Sequence, residues 1–233
     1  NLGRAYLRVG KSVEGQKEMV IFERLNKDGN KLKTSLLALQ RTPDNPEGHY
    51  VVALVYAEQG RHAEAEDEYR KAIGLNPKFI AARRKLGNIY VERRKYTEAE
   101  SEFKRILEID PREASAHIGI GGVYFKQKRY AEAASEFTTA AQLQPDLPES
   151  YYNLGMIYAN TGKLEDATRE FKMAIEHNPS YGLGHRALGI VYFLMGRYDD
   201  AMKAFETARQ IAPSDSITHY YVKEIDKKLG RTP

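Results

Sequence analysis

The feature that most constrains this chain of 233 residues is an internal period of 34 residues. Prolines stand at positions 43, 77, 111, 145, 179 and 213, and tyrosines at positions 56, 90, 124, 158 and 192. Alanines and a further aromatic residue recur at the same interval. A fixed period of about 20–50 residues is the signature of stacked structural units that bury a shared core. The sequence therefore predicts a repeat array.

Each copy is typical of two helices joined by a short turn. In the fourth copy the first helix is predicted over Glu149–Asn160 and the second over about Leu164–His177. Pro179 ends the second helix, because proline lacks the amide hydrogen and disfavours helical geometry in the residue before it. Between the helices, glycine at positions 60, 162 and 196 predicts a left-handed turn. Arg94 and Lys128 occupy this turn position in the other two copies.

A second glycine recurs inside the first helix, at positions 87, 121, 155 and 189. Glycine in a helix interior costs about 1 kcal/mol relative to alanine, so we expect a close helix–helix approach that a larger side chain would block. The predicted partner is the small alanine that recurs at positions 99, 133, 167 and 201.

Seven residues of the fourth copy carry a recognisable pattern: Leu154, Gly155, Tyr158, Ala167, Phe171, Ala174 and Pro179. This pattern resembles the tetratricopeptide repeat family. The resemblance implies an all-α fold, a right-handed superhelical α-solenoid of helix-turn-helix repeats. It predicts five tandem repeats, at 46–79, 80–113, 114–147, 148–181 and 182–215.

The two ends of the array differ from the regular copies. Residues 1–45 are interpreted as a degenerate repeat followed by a lead-in helix over Leu32–Gln40. Residues 216–233 are interpreted as a capping helix and tail, because a stacked array needs a polar final surface to stay soluble. Tyr220, Val222 and Ile225 are predicted to face inward from this cap. Since the chain starts at Asn1 inside a first-helix pattern, we interpret it as a fragment or a processed form.

Charge and composition argue against several classes of protein. The net charge of +4 is confined to residues 1–45, which hold nine Lys/Arg and five Asp/Glu, while the remainder is neutral. A nucleic-acid partner is therefore not expected. The absence of cysteine excludes disulfides, thiolate zinc sites and cysteine nucleophiles. No segment approaches the roughly 20 apolar residues of a spanning helix, so we expect no membrane insertion. A soluble protein of the cytoplasm or the periplasm fits equally.

No residue pattern points to catalysis, and the sequence predicts no enzyme, no metal and no cofactor. His49, His117, His185 and His219 share one repeat position, but neighbouring repeats are separated by roughly 10 Å, too far to share one metal ion. We expect these histidines to replace an aromatic residue in packing. The acidic second helices are typical of a solvated outer face.

By resemblance to the family, the first helices line a concave groove that binds a protein or peptide partner. The candidate groove residues are Tyr50, Leu54, Arg84, Asn88, Ile118, Phe125, Tyr152, Asn153, Met156, Arg186, Ile190 and Phe193. Tyr152 and Met156 are expected to face solvent and to contribute little to folding. An alternative is that Ile190, Phe193 and Leu194 pack against the capping helix instead.

Some family members bind the carboxyl-terminal tails of chaperones with a clamp of lysine, asparagine and arginine. Arg84 and Asn88 match the first helix of this clamp, but Gly119 stands where its next asparagine is required. This ligand is therefore not predicted.

The sequence leaves two roles open. The first is a non-catalytic scaffold that binds a peptide or helix of a partner and supports assembly of a larger complex. The second is a targeting or regulatory module of a larger enzyme or export machine. Self-association through the N-terminal end of the array is a further possibility.

Overall fold

The computed structural model describes residues 30–231. These residues form twelve α-helices and no strand, which confirms the predicted all-α class. They fall into two compact units, the first ending at Arg93 and the second beginning at Arg94. Residues 1–29, which include the predicted degenerate repeat, lie outside the described residues.

The first unit contains the lead-in helix and three helices of the array. They are α1 (residues 30–41), α2 (Pro46–Glu58), α3 (His62–Leu75) and α4 (Ile80–Glu92). The lead-in helix predicted over Leu32–Gln40 is thus confirmed. It packs closely on α2, since a Cβ atom at Gly48 would lie 2.9 Å from Cδ1 of Leu39. At the start of α2, the Asn45 side chain accepts a hydrogen bond from the amide of Glu47 and so satisfies one free donor of the helix end.

The second unit contains eight helices. They are α5 (Tyr96–Ile109), α6 (Ala114–Lys126), α7 (Tyr130–Leu143), α8 (Pro148–Asn160), α9 (Leu164–His177), α10 (Gly182–Leu194), α11 (Tyr198–Ile211) and α12 (Ser216–Lys228). Each of α6 to α12 packs on the helix before it, and α6, α8, α10 and α12 also contact one another in succession. The first helices of neighbouring repeats therefore form one continuous layer of this unit.

In repeats three, four and five, the seam between the two helices is filled by a phenylalanine of the second helix. Phe137, Phe171 and Phe205 are almost completely buried. A Cβ atom at Gly155 would lie 2.6 Å from Cε1 of Phe171, and Gly121 and Gly189 stand in the same relation to Phe137 and Phe205. The prediction that alanine is the partner of the recurrent glycine is therefore wrong. The glycine leaves room for a ring, which needs far more space than a methyl group.

The predicted left-handed turns are confirmed. The φ angles of Gly60, Gly162 and Gly196 are 73°, 77° and 74°, and Arg94 and Lys128 adopt 59° and 60°. The turn geometry is thus retained in the two copies that lack glycine. A positive φ is strained for a residue with a side chain but not for glycine.

The capping helix α12 presents a different face to the core than predicted. Ile225 is completely buried and Val222 is half-buried, as expected, but Tyr220 is 60% exposed. Tyr221 packs inward instead, with its ring stacked 5.6 Å from that of Phe205. Among residues 30–231, no helix is long and apolar enough to cross a membrane.

Candidate functional site

The second unit contains an apolar cleft of about 210 Å³ between α8 and α10. Tyr152 and Met156 line it from α8, and Arg186 and Ile190 line it from α10. Each pair is four residues apart, so helical spacing places both members on one face. The remaining lining residues are Ala159, Phe171, Ala187, Val191, Leu194 and Ile217. We call this surface the groove cleft.

The floor of the groove cleft is continuous with the core. Tyr152 and Met156 are half-buried and pack against the cluster built around Phe171 and Phe205. The ring of Tyr152 lies 5.7 Å from Phe171 and meets Tyr181 edge-on, also at 5.7 Å. The expectation that Tyr152 and Met156 face solvent is therefore wrong, and we expect both side chains to contribute to folding.

The rim of the groove cleft is apolar and open to solvent. Leu194 is 59% exposed and Ile217 is 44% exposed. Phe193 packs against the capping helix, as the alternative in the sequence analysis expected, with its ring 5.1 Å from that of Tyr221. Leu194 instead borders the cleft.

Sequence reasoning missed Ile217, although a signal for it exists. Ile217 follows Leu183 by 34 residues and Tyr220 follows Arg186 by the same interval. Both residues of the cap thus occupy groove positions, and both are exposed. Extending the groove positions past residue 215 would have identified them.

The one cation of the groove cleft is neutralised within it. Nη1 of Arg186 lies 3.0 Å from Oδ1 of Asp215, and Oδ2 of Asp215 accepts hydrogen bonds from the hydroxyl and amide of Thr218. Burial acts to raise the pKa of Asp215, but the hydrogen bonds from Thr218 and the charge of Arg186 outweigh it and hold this pKa below its usual value. The cleft therefore presents apolar surface beside a formed ion pair.

The other candidate residues of the second unit lie outside the groove cleft. Ile118 and Phe125 pack against the core cluster around Phe137, and Asn153 is half-buried on α8. In the first unit, the Tyr50 ring lies 5.8 Å from Tyr69 and 5.1 Å from Phe79. Leu54 and Arg84 are half-buried, and Asn88 is exposed.

The histidines at the shared repeat position are hydrogen-bonded rather than simple aromatic replacements. Nδ1 of His49 lies 2.6 Å from Glu68, and Nδ1 of His117 lies 2.7 Å from Glu136. His185 and His219 bond to backbone carbonyls, those of Pro179 and Asp215. Within residues 30–231, no three side chains of metal-binding type are grouped to hold an ion.

Four family models match the chain, all of them tetratricopeptide repeats. They cover residues 53–93, 84–148, 124–189 and 182–215. The chain belongs to the tetratricopeptide repeat family. No curated protein sequence matches it.

Solved structures of tetratricopeptide repeat proteins share this fold. A protein of Parabacteroides merdae matches with a TM-score of 0.75 and 18% identity, covering 96% of each chain. A thermophilic protein of Thermus thermophilus matches with a TM-score of 0.69 and 19% identity over 77% of this chain and 98% of its own. YrrB, described as having an unusual peptide-binding site, matches with a TM-score of 0.51 and 22% identity over 81% of this chain and 97% of its own.

Family membership establishes a repeat scaffold of a generally non-catalytic kind, whose members engage protein partners. The chaperone-tail clamp is incompatible with this scaffold for a steric reason. A Cβ atom at Gly119 would clash with the ring of Phe103, so the asparagine that the clamp requires has no room.

Proposed function

We propose that this tetratricopeptide repeat protein binds a peptide or helix of a protein partner at the groove cleft, and that it thereby supports assembly of a larger complex. The observation that carries the proposal is the apolar cleft of about 210 Å³ between α8 and α10, with an exposed apolar rim. Pockets of this kind, small and apolar with few polar groups, are typical anchor sites for a side chain.

The lining favours one large apolar side chain as the anchor. Tyr152 and Met156 offer an aromatic ring and a flexible thioether, which adapt well to an apolar partner. Because Arg186 is already paired with Asp215, an acidic anchor would gain little there and would have to displace a formed ion pair. The ligand is therefore expected to insert leucine, methionine or phenylalanine.

The rim supports binding over a surface larger than the cleft itself. Leu194 is exposed at the cleft edge on α10, and Ile217 and Tyr220 are exposed at groove positions of α12. Contiguous exposed apolar side chains on a protein mark interaction surfaces. YrrB, which has the same fold, is described as having a peptide-binding site, so a repeat array of this kind can present one.

The test uses the exposed rim, because the floor also supports the fold. Peptides selected from a random library against the intact protein are expected to share a large apolar residue. Their affinity is then measured for Leu194→Asp and Ile217→Asp, which place a charge at the cleft edge. We expect each variant to melt like the parent and to weaken binding about thirtyfold, the effect of losing roughly 2 kcal/mol at an interface anchor.

Leu229→Asp is the matched control, since Leu229 is a 37% exposed residue of the same unit outside the groove cleft. It is expected to leave peptide affinity unchanged. If all three variants bind equally, or if the selected peptides lack an apolar anchor, the groove cleft is not the binding site.

A further inference from the structure

A second cleft, on a different face of α10 from the groove cleft, differs from its counterparts in other repeats by the loss of one carboxylate. It encloses about 300 Å³ between α9, α10 and α11 and is bordered by Lys172, His185, Lys203 and Thr207. We call it the basic cleft. The residues at the same repeat positions around His117 of repeat three show what is missing from the basic cleft.

Repeat three contains the complete arrangement. Nδ1 of His117 lies 2.7 Å from Oε2 of Glu136, nineteen residues later in the chain. Lys104 lies nearby: its pKa is raised first by a hydrogen bond with Glu100 and, more weakly, by the charge of Glu136. Glu136 is thus paired with His117 and lies within electrostatic range of Lys104, whose ammonium itself pairs with Glu100 at 2.8 Å. His49 and Glu68 form the same pair in repeat one, at 2.6 Å.

The same place at repeat five keeps both basic residues, His185 of repeat five and Lys172 of repeat four, but lacks the carboxylate. His185 and Lys172 follow His117 and Lys104 by two periods, but Ala204 stands where glutamate is expected. The four preceding copies carry glutamate at this position, at 68, 102, 136 and 170. Nε2 of His185 still bonds to the carbonyl of Pro179, at 2.9 Å. Among the described residues, no carboxylate pairs with its Nδ1, and the basic cleft occupies the vacated space.

The charges around the basic cleft favour an anion. Lys172 and Lys203 are exposed and form no ion pair with any described residue. The one acidic residue at the border, Asp200, is bound by the guanidinium of Arg197 at 2.6 Å. Its charge is thereby compensated. The cleft is therefore bordered by two lysines and by His185, whose Nδ1 pairs with no carboxylate of the described residues.

We propose that the basic cleft binds a carboxylate group of a ligand, in the place that Glu136 occupies in repeat three. The ligand's carboxylate accepts from Nδ1 of His185 and is flanked by Lys172 and Lys203. Since Nε2–H already donates to a carbonyl, the ring carries a proton on both nitrogens in the complex. Charge-assisted hydrogen bonds of this type are short and directional. The carboxylate comes either from an acidic side chain of a bound protein or from a free organic acid.

Side-chain nitrogen NMR of His185 tests the proposal directly. Succinate is titrated into the full chain at constant ionic strength, with chloride as the reference anion. A short amidated peptide with one glutamate, beside its glutamine analogue, forms the second arm. We expect a saturable shift of the His185 ring with succinate, with the glutamate peptide, or with both, and none with chloride or the glutamine peptide.

Substitutions link the shift to the basic cleft. Ala204→Glu restores the internal carboxylate and is expected to abolish the response. We expect this variant to fold, because the four other copies carry glutamate at the same position. Gln210→Glu adds the same charge at an exposed position of α11 and is expected to leave the response intact. Lys172→Ala and Lys203→Ala should each weaken binding about two- to fivefold, the usual scale for an exposed charge pair.

The two arms identify the source of the carboxylate. A response to the glutamate peptide alone assigns the site to an acidic side chain, and a response to succinate alone assigns it to a free acid. The proposal is overturned if neither probe gives a saturable shift at millimolar concentration, if chloride acts equally, or if folded Ala204→Glu still responds.

Discussion

The two faces of helix α8 show how a repeat protein separates packing from recognition. On its core face, Leu154, Gly155 and Tyr158 stand at positions whose residue type recurs with the 34-residue period. On its groove face, Tyr152 and Met156 stand at positions that change from copy to copy. The recurring residues set the distance between paired helices, and the changing residues line the groove cleft.

The separation is incomplete, and the structure shows where. Tyr152 belongs to the groove by position but packs on Phe171 and Tyr181 of the core. The residues that border the groove cleft without packing into the core are those of the rim, such as Leu194 and Ile217. The comparison therefore predicts a graded response to mutation from the core face, through the cleft floor, to the turns and two half-buried carboxylates of the second helices.

The largest effect is expected at the core face. Gly155→Leu should lower the free energy of unfolding by about 3 kcal/mol or more, because Phe171 already fills the space beside Gly155. Gly155→Ala should cost about 1–2 kcal/mol, since even its Cβ atom forces the ring to move. Urea denaturation measures both.

Gly122 provides a matched control on α6, since a Cβ atom there would meet nothing within 4 Å. Gly122→Ala should stabilise the protein by up to about 1 kcal/mol, the difference in helix propensity. Equal effects of alanine at 122 and 155 would contradict the packing described for Phe171.

A smaller effect is expected at the cleft floor. The double variant Tyr152→Ala, Met156→Ala should lower the free energy of unfolding by about 2 kcal/mol, because both half-buried side chains pack on the core. Leu194→Ala at the rim should change it by less than about 0.5 kcal/mol. Circular dichroism melting of the three proteins compares floor and rim. A double variant as stable as the parent would show that Tyr152 and Met156, like the rim residues, do not support the fold.

The turns should respond in the opposite direction. Lys128 adopts a φ of 60°, a conformation that costs a residue with a side chain about 1 kcal/mol. Lys128→Gly should therefore raise the melting temperature, by an amount that corresponds to at most about 1 kcal/mol. Gln127→Gly next to it, at an ordinary φ of −83°, should lower the melting temperature. A lower melting temperature for Lys128→Gly would show that its side chain makes compensating contacts.

The smallest effect is expected at two half-buried carboxylates of the second helices, Glu136 and Glu170, which occupy the same repeat position. Burial raises the pKa of Glu170, against the attraction of Arg169, so the ionised carboxylate destabilises the fold. This cost is absent below the pKa of the unfolded chain and complete above the raised pKa. Glu170→Gln should thus be neutral in acid and stabilising, by less than about 1 kcal/mol, at neutral pH.

Glu136→Gln is the counterpart, because Glu136 is paired with His117. This substitution should destabilise the protein at neutral pH. Stability curves measured from pH 4 to pH 8 distinguish the two positions, and parallel curves would contradict the different environments of these carboxylates.

Much of the local structure could be predicted from the sequence. The second helix of repeat four was predicted over Leu164–His177 and is observed with those bounds. The left-handed turns at the glycine positions and the lead-in helix were also predicted correctly. These features depend on residues close together in the chain: proline and glycine at helix ends, and apolar residues at helical spacing.

What the tertiary structure decided is which side chains meet. The period alone did not show that Gly155 faces Phe171 rather than Ala167, or that Tyr221 rather than Tyr220 turns inward. Nor did it show that Leu194 and Ile217 border one cleft with Tyr152, or that Ala204 leaves His185 facing an open space. The 34-residue period and the helix ends follow from the sequence because local sterics and hydrogen bonding determine them. The two clefts depend on the tilt and spacing of neighbouring helices, which only the packing of the whole second unit determines.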